Sequence, residues 1–263
     1  MLNFIFLAGK AQPSLQQAKI IYQFTHVKNL LAPHNPHREL MVLEFSPEAA
    51  LYRSHELEKL DSILDANVGT NGNVAINKMK LPTTEKIFQK FQEEEISIER
   101  SFSGQQFIYN EAKPNFNWVI TDEEKNIGGF NCRMAVGSFR GRQYHAWFTF
   151  DIPISAGPWK LMGLPGLVLD AVDTTGQVKF ELVRIENKVK STPLALSKSA
   201  KRVTRKQWED MMDAFRKNPN AFIMANSNAG AVGNTETTIG IKFNDGNATR
   251  QPKAGNPIEL TND

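Results

Sequence analysis

The chain has 263 residues, of which 41% are hydrophobic, and its formal net charge is +3 at pH 7. This length and composition suit one large β domain, or two closely packed halves, with a core of ordinary size. The chain has 31 basic and 28 acidic residues. This near balance does not indicate the clustered basic face that a nucleic-acid-binding domain needs. The single cysteine, Cys132, excludes an intramolecular disulfide.

The N-terminal residues 2–7 form a short apolar run, and the small residues Gly9 and Ala11 follow it. This pattern is typical of the end of a secretory signal peptide, although the basic region that usually precedes the run is missing. We therefore predict that residues 1–11 are a signal-peptide remnant and that the protein is exported to the periplasm or cell envelope. The alternative is a frayed or core-packed N-terminus. No other run approaches the roughly 20 apolar residues of a membrane-spanning helix.

Short apolar runs in the first half of the chain predict β-strands. Residues 19–27 and 39–45 give the first two strands. Ser46-Pro47-Glu48 is typical of a helix start, so residues 48–64 are predicted to form a short, partly helical connection. An antiparallel meander is then predicted from the runs at residues 85–91, 96–101, 106–109 and 118–121.

The clearest predicted strand pair comprises residues 130–136 and 143–150, joined by a turn at residues 137–141. Cys132 lies on the apolar face of the first strand with Phe130 and Met134. This position favours a buried, inert thiol over a nucleophile. Residues 167–172 and 178–185 predict a further hairpin.

Residues 151–170, called here the Pro-Gly segment, separate these two hairpins. Pro153, Pro158 and Pro165 exclude an interior helix or a central strand, and the glycines indicate turns. Apolar residues such as Trp159 are too numerous for a solvated linker. We therefore predict an ordered loop that packs on the core or lines a groove.

Charged and aromatic side chains surround the Pro-Gly segment and could form a ligand site. An apolar wall with a few polar anchors would suit an extended peptide or a lipid-like molecule. The candidate ligand-binding residues are Arg140, Arg142, Trp147, Asp151, Trp159 and Lys160. The alternative is structural, with Asp151 paired to an arginine that fixes the loop.

Metal chemistry is a weaker hypothesis. His34 and His37 could hold a metal together with His26 or His55, but their spacing is that of a solvated loop rather than of a known metal motif. We predict neither a metal nor a cofactor.

Catalysis is not indicated by any linear motif, since the sequence contains no G-x-S-x-G, Walker or H-E-x-x-H pattern. A hydrolase remains an alternative hypothesis, with Asp151, His145 and Cys132 as candidate residues. The strand pattern, however, predicts that His145 and Cys132 lie on different faces.

The best predicted helix lies near the C-terminus. Thr204 and Gln207 form a capping box, and Asn218-Pro219 ends the helix. Its apolar stripe consists of Trp208, Met211, Met212 and Phe215. Residues 226–263 are rich in polar residues and glycine, so we predict a partly ordered C-terminal tail.

One hexapeptide within the Pro-Gly segment resembles the signature of the GLPGLI family, a group of exported Bacteroidota-type proteins with no established activity. Its residues are Gly163, Leu164, Pro165, Gly166, Leu167 and Val168, called here the signature motif. We predict a structural role for these six residues rather than a catalytic one. The resemblance itself implies an exported protein and no particular mechanism.

The neighbours of the signature motif also resemble that family. The similar positions are residues 139–142, Tyr144, 146–147, 151–154 and 157–160, and, further away, Tyr109, Glu111, Trp118 and 256–260. The chain departs from the family pattern at Val168, typically Ile, at Met134, often Lys, and at Phe150, often Pro.

These patterns predict a mainly β fold, with α+β as the alternative. Residues 12–225 would form a single domain built on a curved, half-barrel-like antiparallel sheet with one C-terminal helix packed on it. The predicted function is non-enzymatic: binding of a lipid-like or peptide ligand, or docking on an outer-membrane partner. The alternatives are a hydrolase without a linear motif and a secreted structural module.

Overall fold

The computed structural model describes residues 17–59, 82–187, 194–219 and 255–261. Within these ranges the chain forms a 12-stranded sheet that does not close into a barrel, which confirms the predicted mainly β fold. The signal-peptide remnant and most of the C-terminal tail lie outside the described residues. The strands are β1 (Ala18–His26), β2 (His37–Phe45), β3 (Ala49–Ser54), β4 (Lys86–Lys90), β5 (Glu95–Phe102), β6 (Gln105–Ala112), β7 (Val119–Ile127), β8 (Phe130–Phe139), β9 (Arg142–Thr149), β10 (Leu167–Asp173), β11 (Val178–Glu186) and β12 (Lys201–Arg202).

The sheet consists of two meanders joined side by side. Its strand order is β12-β6-β5-β4-β3-β2-β1-β11-β10-β9-β8-β7, and every described pairing is antiparallel except the short β12–β6 pair. β1 to β6 form one meander and β7 to β11 the other, and the pairing of β1 with β11 joins them. The two meanders therefore share one core face.

The connection of β10 to the rest of the sheet depends on side chains as well as on the strand ladder. β10 and β11 pair only at Ala171–Phe180 and Val172–Lys179. Beyond these pairs, the Leu182 N–H donates to Asp170 Oδ1 at 2.8 Å. The fully buried Tyr22 hydroxyl donates to the Val168 carbonyl at 2.7 Å. β1 and β10 are thus tied together by a hydrogen bond inside the core.

The helix predicted from residue 48 is wrong in its first part. Residues 49–54 form β3, and helix is described only at residues 55–59, while residues 60–64 lie outside the described ranges. Ser46 closes a tight turn instead, because its N–H donates to the Ala49 carbonyl at 2.8 Å and its hydroxyl accepts the Ala49 N–H at 3.3 Å. The apolar residues that follow are buried on both faces of the sheet, which favours a strand.

The Pro-Gly segment packs on the core as predicted. Its backbone is tied to the start of β10, since the Val168 N–H donates to the Ala156 carbonyl at 3.0 Å. Gly166 is required by close approach, because a Cβ atom there would lie 2.1 Å from the Thr149 carbonyl oxygen. Buried side chains of the segment include Ile152, Ala156, Trp159, Leu161, Met162 and Leu164, and also the charged Lys160.

The signature motif runs from a bend into the first two residues of β10. Leu164, Gly166, Leu167 and Val168 are buried, whereas Gly163 and Pro165 are exposed. Pro165 is thus a solvent-exposed member of a largely buried motif. The reason is positional, because Pro165 lies in the bend between the buried Leu164 and the closely packed Gly166. The fixed φ and missing N–H of Pro165 suit such a bend. The predicted structural role of Pro165 would therefore act through its backbone, and it stays a prediction.

The predicted C-terminal helix is confirmed at Arg205–Lys217, with both hydrogen bonds of the Thr204–Gln207 capping box present. Its buried residue Trp208 packs on the core face of β6, with ring centroids 5.7 Å from Phe107 and 6.4 Å from Tyr109. The helix therefore covers one end of the sheet.

Candidate functional site

Residues 255–261, called here the C-terminal segment, lie across the ends of several strands. The Asn256 N–H donates to the Lys28 carbonyl at 3.0 Å, just beyond β1. The Leu260 N–H donates to the Arg140 carbonyl at 2.9 Å, in the turn between β8 and β9. The segment thus links the centre of the sheet to its second meander.

The side chain of Arg142, at the start of β9, holds this segment by binding the segment's backbone carbonyls. The Arg142 residue is 4% exposed, and its guanidinium donates to the carbonyls of Ile258 at 3.0 Å and Pro257 at 2.8 Å. It also donates to Asp173 Oδ2 at 2.6 Å and to the side-chain oxygen of Asn256. A buried charge pair of this kind is stable only when its remaining hydrogen-bonding capacity is satisfied, as it is here.

A second cluster of charges surrounds Glu259. Its carboxylate accepts a hydrogen bond from Lys160 Nζ at 2.6 Å and contacts Arg140. Glu111, on β6, contacts Lys160 and lies 2.9 Å from Arg205 of the helix. Burial would raise the pKa of Glu259, but the charges and hydrogen bonds of Lys160 and Arg140 lower it below the ordinary value.

Four of the six predicted ligand-binding residues meet beside the C-terminal segment. Arg140, Arg142 and Lys160 bind that segment directly. Trp159 is buried beside them, 6.0 Å from the ring of Phe139, with a left-handed backbone (φ 54°). These side chains already contact other residues of the same chain, and their binding of an external ligand stays a prediction.

The other two candidates lie elsewhere. Trp147 is half-buried, and Lys125 Nζ lies 5.1 Å from the centroid of its ring. Asp151 is exposed, and no described arginine lies within ion-pair distance of it. Arg142 pairs with Asp173 instead.

A groove of about 310 Å³ lies where the Pro-Gly segment meets the ends of β4 and β6. Its polar groups are partly engaged: Gln89 Nε2 donates to the Ser155 carbonyl at 3.2 Å, and Lys113 Nζ donates to the Phe91 carbonyl at 3.0 Å. Its apolar walls come from Pro47, Phe91, Pro114, Pro153, Ile154 and Met162. Apolar walls with a few polar anchors are what a small-ligand site needs.

The residues of the hydrolase hypothesis do not assemble. Cys132 is 1% exposed, which confirms its predicted burial, and that burial raises the pKa of its thiol to about 11. In the β8–β9 pair Cys132 lies opposite Thr149 and His145 opposite Val136, so the predicted difference in face is wrong. They share a face but are separated by about 13 Å along the strands.

The candidate metal ligands are also dispersed. His34 is exposed, and His55 Nδ1 lies 3.1 Å from Glu58. His26 and His37 lie opposite each other on β1 and β2, and His37 Nε2 is 2.9 Å from Glu39. Across the described ranges, no group of three or more histidine, cysteine or acidic side chains is placed to hold a metal. Nor is any described helix long and apolar enough to cross a membrane.

Sequence reasoning missed the acidic half of this site. Glu111, Asp173 and Glu259 are the carboxylates that Arg142, Lys160 and their neighbours bind. The family resemblance included Glu111 and the terminal Asn256-Pro-Ile-Glu-Leu260, which was a signal for two of the three. It gave no indication that they meet.

Comparisons with known proteins cover the same region. A family model described as "Protein of unknown function (Porph_ging)" matches residues 140–170, which include Arg140, Arg142 and Lys160. The match also contains the whole signature motif, from Gly163 to Val168. The search of curated proteins gives no match.

Two solved structures resemble the fold, with TM-scores of 0.56 and 0.54, each at 18% identity over 74% of this chain. They are titled "Structure of PNGF-II in P21 space group" and "Structure of PNGF-II in C2 space group". The chain spans about a third of their length, at 33% and 32%. At this identity the likeness is one of fold alone. Residues 140–170 are thus similar to a family of unknown function, and the β scaffold that carries them resembles part of a longer protein.

Proposed function

We propose that this protein is an exported cell-envelope protein that acts by binding rather than by catalysis. It holds a lipid-like or extended peptide ligand in the groove beside the Pro-Gly segment, or docks an outer-membrane partner there. The proposal includes membership of the GLPGLI family, on the residues quoted for that resemblance.

The observation that carries the proposal is the groove itself. Its walls are mainly apolar, and Ile154 and Met162 reach it from the Pro-Gly segment. Gln89 and Lys113 stand at its border and could exchange their present intramolecular bonds for bonds to a ligand. An apolar wall of this kind favours a ligand with apolar surface over a fully polar one.

Ligand binding is tested by native mass spectrometry of protein isolated from its own cell envelope. We expect a ligand-bound mass for the unaltered chain and its loss in Ile154→Lys, because a lysine head group would enter the apolar wall. Val183→Lys is the matched control, since Val183 is an exposed apolar residue of β11 outside the groove. An empty unaltered chain, or a ligand retained by Ile154→Lys, contradicts the proposal.

Export is tested separately by the N-terminal mass of the mature protein. We expect its first residue to lie after position 11, in the envelope fraction of the cell. Recovery of the uncleaved N-terminus from the cytoplasm would contradict this part of the proposal alone.

A further inference from the structure

The C-terminal segment is held in the way that a receptor holds an extended peptide. Backbone hydrogen bonds fix both of its ends, at Lys28 and at Arg140. Between these ends, Arg142 donates hydrogen bonds to two consecutive backbone carbonyls, those of Pro257 and Ile258. Recognition of main-chain groups in register is what gives peptide-binding sites their preference for extended chains.

Side-chain anchors give this arrangement its sequence preference. The Asn256 amide donates to the Val27 carbonyl at 2.7 Å and to Gln177 Oε1 at 2.8 Å, while its oxygen accepts from Arg142. A side-chain amide suits this position because its NH2 group donates two hydrogen bonds while its oxygen accepts one. Asn256 is 5% exposed, so a replacement would leave buried polar groups without partners.

Glu259 is the second anchor. Lys160 lies 2.6 Å from its carboxylate, Arg140 contacts it, and Arg205 lies 3.6 Å away. Without Glu259 these three cations would face Glu111 as the carboxylate they share. The site therefore selects an acidic residue at this position.

We infer that Val27, Lys28, Arg140, Arg142, Lys160 and Gln177, called here the C-terminal cradle, form a peptide-recognition site. Its ligand class is an extended segment of the pattern Asn-Pro-apolar-Glu, which the cradle binds in trans when its own segment is displaced. Among the described residues, the contacts between the cradle and residues 255–261 are non-covalent, so recognition does not depend on the covalent attachment of the segment. This inference is independent of the groove beside the Pro-Gly segment.

The test uses the full chain carrying Asn256→Ala and Glu259→Lys, which weakens its own segment, and a labelled peptide of residues 254–262. We expect saturable binding by fluorescence anisotropy, at least about tenfold tighter than to the unaltered chain, whose cradle is filled. A peptide carrying Glu259→Lys should bind at least about tenfold more weakly. A peptide carrying Thr261→Ala is the matched control, because Thr261 contacts the cradle through its backbone N–H and its side chain is exposed.

A second measurement covers the case in which the altered chain is poorly folded. The unaltered peptide should raise its thermal transition temperature, and the Glu259→Lys peptide should not, since a ligand that binds the native state stabilises it. The inference is overturned if neither binding nor a thermal shift occurs. It is also overturned if the Glu259→Lys peptide performs as well as the unaltered one.

Discussion

The Pro-Gly segment and the C-terminal segment both pack against the sheet with little regular secondary structure, but different forces hold them. The first is anchored mainly by buried apolar side chains and by glycine positions where the backbone approaches other atoms closely, and its one buried cation, Lys160, pairs with Glu111 and Glu259. The second is anchored by charges and hydrogen bonds, above all those of Arg142 and Glu259. An irregular segment can thus be fixed by shape or by electrostatics.

The two kinds of anchor should fail in different ways. Apolar packing is sensitive to added volume, and its stability depends little on pH. Buried ion pairs are sensitive to the removal of one partner, because an uncompensated charge is then left in a medium of low dielectric constant. Their stability also changes with pH wherever the pKa values differ between the folded and unfolded states.

The largest effect is expected from Asp173→Asn, on the electrostatic side of the comparison. Asp173 accepts hydrogen bonds from Arg142, Thr175 and the Val178 N–H, so neutralising it leaves the buried guanidinium without a counter-charge. We expect the free energy of unfolding to fall by about 3 kcal/mol, as measured by urea denaturation. Asp151→Asn is the matched control, and we expect a change within about 0.5 kcal/mol because Asp151 is exposed. Equal effects would show that the pair is not an anchor.

The next largest effect tests the packed segment through Gly166→Ala. The added methyl group would lie 2.1 Å from the Thr149 carbonyl oxygen, so the backbone must move. We expect a loss of about 2 to 3 kcal/mol, measured in the same way. In the same segment, Gly163→Ala meets no atom closer than 3.8 Å and should cost only the strain of its φ of 91°, about 1 kcal/mol. A larger cost at Gly163 would mean that conformation, not close packing, fixes the segment.

The smallest expected effect is a pH dependence near the C-terminal segment. Burial, together with the charges of Lys28, Arg142 and His37, lowers the pKa of His26 to about 4, although a hydrogen bond to the Asn256 backbone opposes this. The unfolded chain therefore takes up the proton first, so stability is complete above the ordinary pKa of 6.5 and falls as the pH approaches 4. We expect the free energy of unfolding to decrease by about 2 kcal/mol over this window.

His26→Phe provides the control for this pH dependence. The variant keeps a ring beside Phe24 but cannot titrate, so its free energy of unfolding should change less between about pH 6.5 and pH 4.5. Glu259 does not interfere in this window, because its pKa is lowered and its contribution is lost only below the ordinary value of 4.5. An unchanged pH dependence in His26→Phe would assign the effect to another group.

Much of the fold could be predicted from local pattern. The alternation in β1, β2, β8 and β9 and the capping box at Thr204 each need only a few neighbouring residues. The error at residues 48–54 had a local cause, because Ser46-Pro47 favours a helix start as well as a turn. The pairing of β3 with β2 and β4 decided in favour of the turn, since β3 is buried on both faces of the sheet.

The candidate site could be predicted only in part. Arg140, Arg142 and Lys160 were identified because they flank the Pro-Gly segment, but their partners lie far along the chain. Lys160 and Glu259 are separated by 99 positions, and Asn256 and Val27 by 229. No spacing rule connects residues at such separations.

The sequence by itself determined where most strands, turns and the C-terminal helix lie, and that the Pro-Gly segment is largely buried, because periodicity and backbone restrictions act within a few residues. Only the tertiary structure decided which members of that segment face solvent, as Pro165 does, and which charges meet. Coulomb energy depends on distance and on the surrounding dielectric, and both are set when two meanders and a terminal segment come together. Three of the residues predicted to bind a ligand therefore bind the protein's own C-terminal segment.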